Sequence, residues 1–326
     1  MNISEIARRA GVSPSAVSRY LNNGYLSEQK RAAIQKVVEE TGYRPLAQAQ
    51  ALRTRKTRTI GVILPRIDSF AVSSVTTGIA SVLEENGFQL LLADTRNTPQ
   101  KELDYLDAFD EQRVDGVILI ATVLSDAHTA ALKNRRTPTV LIGQRLAGVS
   151  CVYHDDYNAF YDVTRLVISK GCKKLGYIGA VDQDRAVGQD RRRAFCDAVR
   201  EAGLSENHTV VSGFSIRSGR EMAEELLDAW GPLDAVVCAT DAMAVGTLQC
   251  LKSRGIQVPQ QALLTGHGHS DVASVTTPPI TTIRYYYEES GADGANLLLD
   301  QIRHPDTPVK EIRLGYCLVE RESTRR

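Results

Sequence analysis

The residues able to do chemistry in this 326-residue chain fall into two sets. The first lies at the N-terminus, where Ser4, Ser13, Pro14, Ser15, Ala16, Ser18 and Arg19 fall on or beside one short predicted helix pair. Small hydroxyl donors with one long cationic donor are suited to phosphates and base edges. The second set follows short apolar runs: Arg66, Asp68, Ser69 and Phe70; Gln144 and Arg145; Asp182, Asp184 and Arg185; Phe214; Thr240 and Asp241; His267 and His269. Ligands of open parallel sheets bind beyond the carboxyl ends of the strands, so charged, hydroxyl and aromatic groups at those places predict a small-molecule cleft. Asp155-Asp156 has the look of a catalytic carboxylate pair. Adjacent side chains at a strand end point apart, however, which suits a helix cap or a crossover better. No GxSxG, P-loop, GxGxxG after a strand, or HExxH is present, and an enzyme would leave the N-terminal set unexplained.

The elements that must carry these residues are legible in the pattern. Ile3, Ile6 and Ala7 share one face of a first helix starting after Asn2 or Ser4; Gly11 breaks it. Ser13 is a fit N-cap and Pro14 suits the first turn of a second helix, with Val17 and Leu21 on its apolar face. Two short helices around a tight turn form a helix-turn-helix, which places the start of the second helix in the major groove. Asn22 and Tyr25 adjoin the next turn; Tyr25 can either reach a phosphate or pack. Ser27 should cap a third helix whose Ile34, Val37 and Val38 close a small core. From Thr59 the period changes. Runs at 59–65, 89–93, 116–121 and 139–142, then 174–179, 209–212, 235–239 and 263–266, alternate with amphipathic stretches. Strand–helix alternation predicts doubly wound parallel sheets, and two such series predict two lobes.

The totals agree with this division. Up to Arg58 there are eleven Lys or Arg against four Asp or Glu, and the remainder holds 28 against 35, from totals of 39 and 39. A basic front on an acidic body is the electrostatic footprint of a nucleic-acid module joined to a non-binding domain. No apolar run reaches transmembrane length. The scattered cysteines (Cys151, Cys172, Cys196, Cys238, Cys250 and Cys317) show no metal spacing and are expected to be buried thiols, in a cytoplasmic protein without disulfide, metal or cofactor.

The segment Ile-Ala-Arg-Arg-Ala-Gly-Val-Ser-Pro-Ser-Ala-Val-Ser-Arg-Tyr-Leu-Asn-Asn, within residues 3–45, resembles the opening of the lactose/galactose repressor family of bacterial transcription factors. The resemblance extends more weakly along the whole chain. It implies an α/β architecture: a helix-turn-helix headpiece at 1–45, a hinge at 46–58, and a two-lobed periplasmic-binding-protein-like domain at 59–326. Lobe one would take 59–154 and 286–314, lobe two 155–285 and 315–326. It further implies that the hinge folds on operator DNA, with Ala49 a minor-groove contact and Leu52 a wedge between base pairs; the charge run Arg53, Arg55, Lys56 and Arg58 either reaches phosphates or forms a solvated face. Leu46 and Gln50 depart from the family pattern there. In the cleft, the resemblance assigns Arg191 to effector oxygens, Phe214 to stacking, and Tyr285 and Tyr287 to the lining.

The implied protein is a homodimeric repressor of a carbohydrate-utilisation operon, not an enzyme, whose partners are operator DNA and a sugar or sugar phosphate. The other readings are a sugar-binding protein or enzyme without DNA function, and a corepressor-dependent regulator of a non-sugar pathway. The family often has acids where this chain has Gly268 and Gly143 or Gln144, while Arg66 is present beside the first strand. These departures predict an anionic effector, a phosphorylated sugar, gripped by Arg66, Arg185 and Arg191. The alternative is that Arg66 pairs with a nearby acid and the effector is neutral. The C-terminal residues show no Leu heptads, which predicts a dimer rather than a tetramer.

Overall fold

A computed structural model describes residues 2–21, 24–43, 57–181, 183–205 and 207–326. Asn22, Ala49, Leu52, Arg53 and Asp182 lie outside the described residues. The chain divides into two units, Met1–Arg58 and Thr59–Arg326.

The first unit holds helices α1 (Ile3–Ala10), α2 (Pro14–Leu21) and α3 (Glu28–Thr41). Asn2 caps α1 by accepting the Glu5 N–H at 2.9 Å, and Gly11 ends it in the left-handed region at φ 66°, where glycine carries no Cβ penalty. The Ala16 N–H donates to the Ser13 hydroxyl at 3.3 Å, closing the first turn of α2. Ser27 stands at the start of α3, but its side chain makes no capping bond, contrary to expectation. Ile6, Ala7, Ala16, Val17, Ile34 and Val37 form the core of the unit.

The second unit has two parallel sheets. The strands of the first are β1 (Thr59–Leu64), β2 (Gln89–Asp94), β3 (Gly116–Ile120), β4 (Thr139–Ile142), β5 (Cys151–His154) and, from much later in the chain, β11 (Glu311–Leu314), in the order β11-β5-β4-β3-β1-β2. The second sheet takes β6 (Leu175–Ala180), β7 (Asn207–Ser212), β8 (Ala235–Cys238) and β9 (Leu263–Thr265), in the order β7-β6-β8-β9. A two-stranded antiparallel pair, β10 (Thr282–Tyr285) with β12 (Tyr316–Val319), completes the strands. The central strands β3, β6 and β8 are buried along their whole length. That is the signature of parallel strands covered by helices on both faces, and the reason they read as unbroken apolar runs. Edge strands β2 and β7 are mostly uncovered.

Helices α4 (Phe70–Glu85), α5 (Pro99–Glu111) and α6 (Asp126–Asn134) cover the first sheet, together with the late helix α12 (Tyr287–Arg303). Helices α7 (Asp156–Ser169), α8 (Arg191–Glu201), α9 (Ile216–Trp230) and α10 (Asp241–Ser253) cover the second, and a short helix, α11 (Asp271–Ser274), follows β9. The chain passes from one sheet to the other after His154, after Tyr285 and after Leu314. Among the described residues no helix is long and apolar enough to cross a membrane, and no group of His, Cys, Asp and Glu is placed to hold a metal. All six cysteines are free thiols. Cys196 and Cys317 are exposed rather than buried as expected, because they sit on the outer face of α8 and on β12.

Helices α4 and α12 cross backbone against backbone. A Cβ at Gly291 would lie 2.0 Å from the Val75 carbonyl oxygen, and one at Gly78 would lie 1.9 Å from that of Glu288. Neither obstacle is a side chain that can rotate away, so any substituent forces the helices apart. Gly291→Ala is expected to destabilise the second unit by about 3 kcal/mol. Urea denaturation followed by circular dichroism measures this; a wild-type midpoint would show that the crossing yields freely.

Candidate functional site

On the first unit, Ser4, Ser13, Pro14, Ser15 and Arg19 are exposed and Ser18 is half-buried. The Ser13 and Ser15 hydroxyls are 2.8 Å apart at the start of α2. Tyr25 is 92% exposed, so of its two readings packing is removed. Ala16 is a correction: it is buried in the helical core beside Val17 and does not belong to the exposed face. Ser15, one residue earlier, projects outward because a step of one residue turns the helix by about 100°.

On the second unit, the carboxyl ends of both sheets face a cleft of about 630 Å³. From the first sheet it receives Arg66, Asp68, Ser69, Phe70 and Gln144; from the second, Arg191, Phe214, Thr240, Asp241 and His267; from the second crossover, Tyr285 and Tyr287. Arg185 is absent from this lining and exposed, which corrects its assignment. It opens a π-helical turn, Arg185–Asp190, whose N-terminus is held by Asp184; this places Asp184 in the cleft in its stead.

The floor of the cleft is a buried polar chain. Asp156 Oδ1 accepts from Arg191 Nε at 2.9 Å and Nη2 at 2.6 Å, and from the Tyr285 hydroxyl at 3.0 Å. Arg191 Nη1 donates to the Ala239 carbonyl at 2.6 Å. His267 Nε2 lies 2.8 Å from the Tyr285 oxygen. The single phenolic proton is given to Asp156, so His267 must carry its proton on Nε2. Burial works against the Arg191 charge, but Asp156 and the two phenols hold its pKa above the ordinary value. Burial, with Arg191 and His154 nearby, pushes the pKa of His267 well down; burial also lowers that of His154, against the pull of Asp156. Both imidazoles are neutral at pH 7. Burial raises the Asp241 carboxyl, although it accepts from the Thr282 hydroxyl at 2.6 Å and from the Ser270 N–H at 2.6 Å.

This arrangement bears on the two readings of Arg66, and it matches the one in which Arg66 pairs with a nearby acid. Arg66 donates through Nε and Nη2 to the two oxygens of Asp68, at 2.9 and 3.1 Å, and that hydrogen-bonded pair lowers the Asp68 pKa. Arg191 is engaged by Asp156 and Ala239. The lining therefore offers two arginines, both paired, against five aspartates: Asp68, Asp156, Asp184, Asp241 and Asp271. Counting the acids missing at Gly143 and Gly268 left out the acids present at Asp184 and Asp241. The sequence reading also missed His154, Asn97 and Thr122 as lining residues, and took Asp156 for a cap or crossover only. Asp156 stands two residues beyond the end of the short strand β5, as the first residue of α7, and that position was the available signal.

Comparison with known proteins follows the same division. Residues 2–45 match the model of bacterial regulatory proteins of the lacI family, and residues 164–324 match a periplasmic binding protein-like domain. The sucrose operon repressor of Staphylococcus xylosus is 32% identical over 93% of this chain and 94% of its own. The chain belongs to the lacI family. Its members are DNA-binding transcriptional regulators, not enzymes. Among solved structures, a complex of the transcriptional regulator CelR with cellobiose is 27% identical, with a TM-score of 0.75, over 99% of each chain. A lac repressor dimer bound to operator and the anti-inducer ONPF shares the fold at a TM-score of 0.91 and 20% identity, over 100% of this chain and 99% of that one.

In this lacI-family protein the Asp184 carboxyl is raised from 3.8 to about 6, mainly by burial. The folded state thus holds the proton more tightly than the unfolded chain. Its contribution to stability is fully present near pH 4, falls as pH rises, and is lost above about pH 6. Asp184→Asn keeps a capping oxygen and removes the charge. It is expected to raise stability at pH 7.5 by on the order of 2–3 kcal/mol and to change it little near pH 4. Thermal unfolding at the two pH values checks this; an equal shift at both would assign the effect to packing.

Proposed function

We propose that this regulator represses a carbohydrate-utilisation operon as a homodimer in the cytoplasm, and that an uncharged sugar of disaccharide size releases it from a near-palindromic operator. The observation that carries the sugar half is the cleft itself: carboxylates able to accept from hydroxyls, rings at Phe70, Phe214 and Tyr287 able to cover apolar sugar faces, and, among the described residues, no unpaired arginine in the lining. Its volume, about 630 Å³, is in the usual range for ligand sites. The relatives named for sucrose and bound to cellobiose support a disaccharide.

For the DNA half, the exposed start of α2 enters the major groove, with Ser15 and Arg19 at base edges or phosphates and Ser4, Ser13, Ser18 and Tyr25 at the backbone. Asn22 contacts the DNA beside Tyr25, Ala49 and Leu52 keep the roles that the family resemblance implies, and Arg53 reaches a phosphate. Two headpieces read two half-sites. Effector binding changes the angle between lobes, shifts the first-lobe dimer surface and draws the hinge segments off the minor groove. The coupling is a difference in effector affinity between the two states, so operator DNA must weaken effector binding by the same factor.

Arg19→Ala is expected to weaken operator binding by about tenfold or more, with effector binding unchanged. Fluorescence anisotropy on operator DNA and calorimetry with effector test the pair; unchanged operator affinity refutes the assignment. A thermal-shift screen of neutral and phosphorylated disaccharides should give its hits among the neutral ones, and each hit should lower operator affinity. Hits confined to the phosphates would reverse the effector class.

A further inference from the structure

We propose that Gln144 and Asp184 form a latch between the lobes, and that the Asp184 carboxylate makes the closed cleft reject anionic ligands. The second half rests on the reading of the cleft as a sugar site.

Gln144 follows β4 in the first sheet, and Asp184 follows β6 in the second. Gln144 Nε2 donates to Asp184 Oδ1 at 3.3 Å across the cleft, and to the Thr122 carbonyl at 3.2 Å within its own lobe. Both partners are acceptors, which sets the amide orientation: the carboxamide oxygen cannot take either place. Both side chains are over nine-tenths buried, at 4% and 7% exposure. Asp184 is itself braced, since the Val187 N–H donates to the same Oδ1 at 3.0 Å and the Gly188 N–H to its carbonyl at 2.8 Å. A π-helical turn of this kind is a frequent device at functional sites.

The latch thus joins a side chain fixed to one lobe with a carboxylate fixed to the other. An amide hydrogen bond to a charged acceptor is of the stronger class. The charges felt by Asp184 are Arg191, which offsets it, and Asp156, which opposes it. Arg191 gives its donors to Asp156 and Ala239, Arg66 gives its donors to Asp68, and Arg185 lies outside the lining, so among the described residues no unpaired arginine lines the cleft to balance a phosphate brought beside Asp184. A sugar hydroxyl donates to a carboxylate, whereas a phosphate at neutral pH carries close to two negative charges and meets it as a like charge.

Hydrogen–deuterium exchange on the full-length, ligand-free protein tests the latch. Gln144→Ala should speed exchange in residues 184–190, and Asp184→Ala should speed it in residues 143–146. Asp184→Asn, which keeps an acceptor, should leave 143–146 near wild type. If Asp184→Ala loosens only its own turn and Gln144→Ala leaves 184–190 unchanged, Asp184 is a local cap and the latch is overturned. Calorimetric titration of sucrose, trehalose and cellobiose, each against its 6-phosphate, tests the charge filter. Wild type should favour a neutral sugar over its phosphate by at least roughly tenfold, and Asp184→Asn should narrow that ratio by a similar factor. An unchanged ratio overturns the filter. If no member of any pair binds wild type, the sugar reading fails and takes the filter with it, while the exchange data decide the latch independently.

Discussion

The second unit depends on one buried ion pair. Asp156 stands where the chain first leaves the six-stranded sheet, Arg191 opens a helix of the other lobe, and Tyr285, on the same carboxylate oxygen, stands where the chain returns. A single acceptor atom therefore gathers two of the three crossovers. Removing either charge from such a pair leaves the other uncompensated in low dielectric, a cost of about 3–5 kcal/mol. The tilted rings of His154 and Tyr285, with centroids 4.6 Å apart, and the His267 hydrogen bond extend the same hold outward. An arginine so fully occupied is a structural member first. What it presents to the cleft is a fixed positive region, already balanced.

The same kind of pairing separates the two readings of effector charge. Residue types and strand ends were readable from the sequence, and they do gather around one cleft. Pairing was not readable. Arg66 and Asp68 are two positions apart, and nothing in the order of residues says that both guanidinium donors turn back onto that carboxylate. Arg185 and Asp184 are adjacent, and only the π-helical turn decides which of them faces the ligand. A register set by a local distortion is invisible to a count based on regular periods.

The fold was legible where burial on both faces writes itself as runs without charged residues, as in β1, β3 and β6. The strands β5, β10, β11 and β12 are four residues each and carry His, Arg, Glu or Tyr among their apolar residues, so no run stands out. Helix α12 was hidden for another reason. Its first half, Tyr-Glu-Glu-Ser-Gly-Ala-Asp-Gly, is poor in helix formers, and packing rather than propensity holds it. In the first unit, Ala16 was placed on the DNA face because it lies near the start of α2; its small side chain instead lets α2 sit tightly on its neighbours.

The glycine crossing of α4 and α12 has a consequence for how a cleft of this design can change its ligand. Phe70, Val72 and Val75 on one helix and Tyr287 and Ser290 on the other line the cleft directly above the crossing. The scaffold beneath them is main chain in contact with main chain, which no point substitution can recontour without separating the helices. New specificity has to come from the layer above, through side-chain replacements at the strand-end loops and the first helical turns. Such a protein can exchange one sugar for another while its frame stays constant, much as a lock is rekeyed by changing pins and leaving the barrel alone.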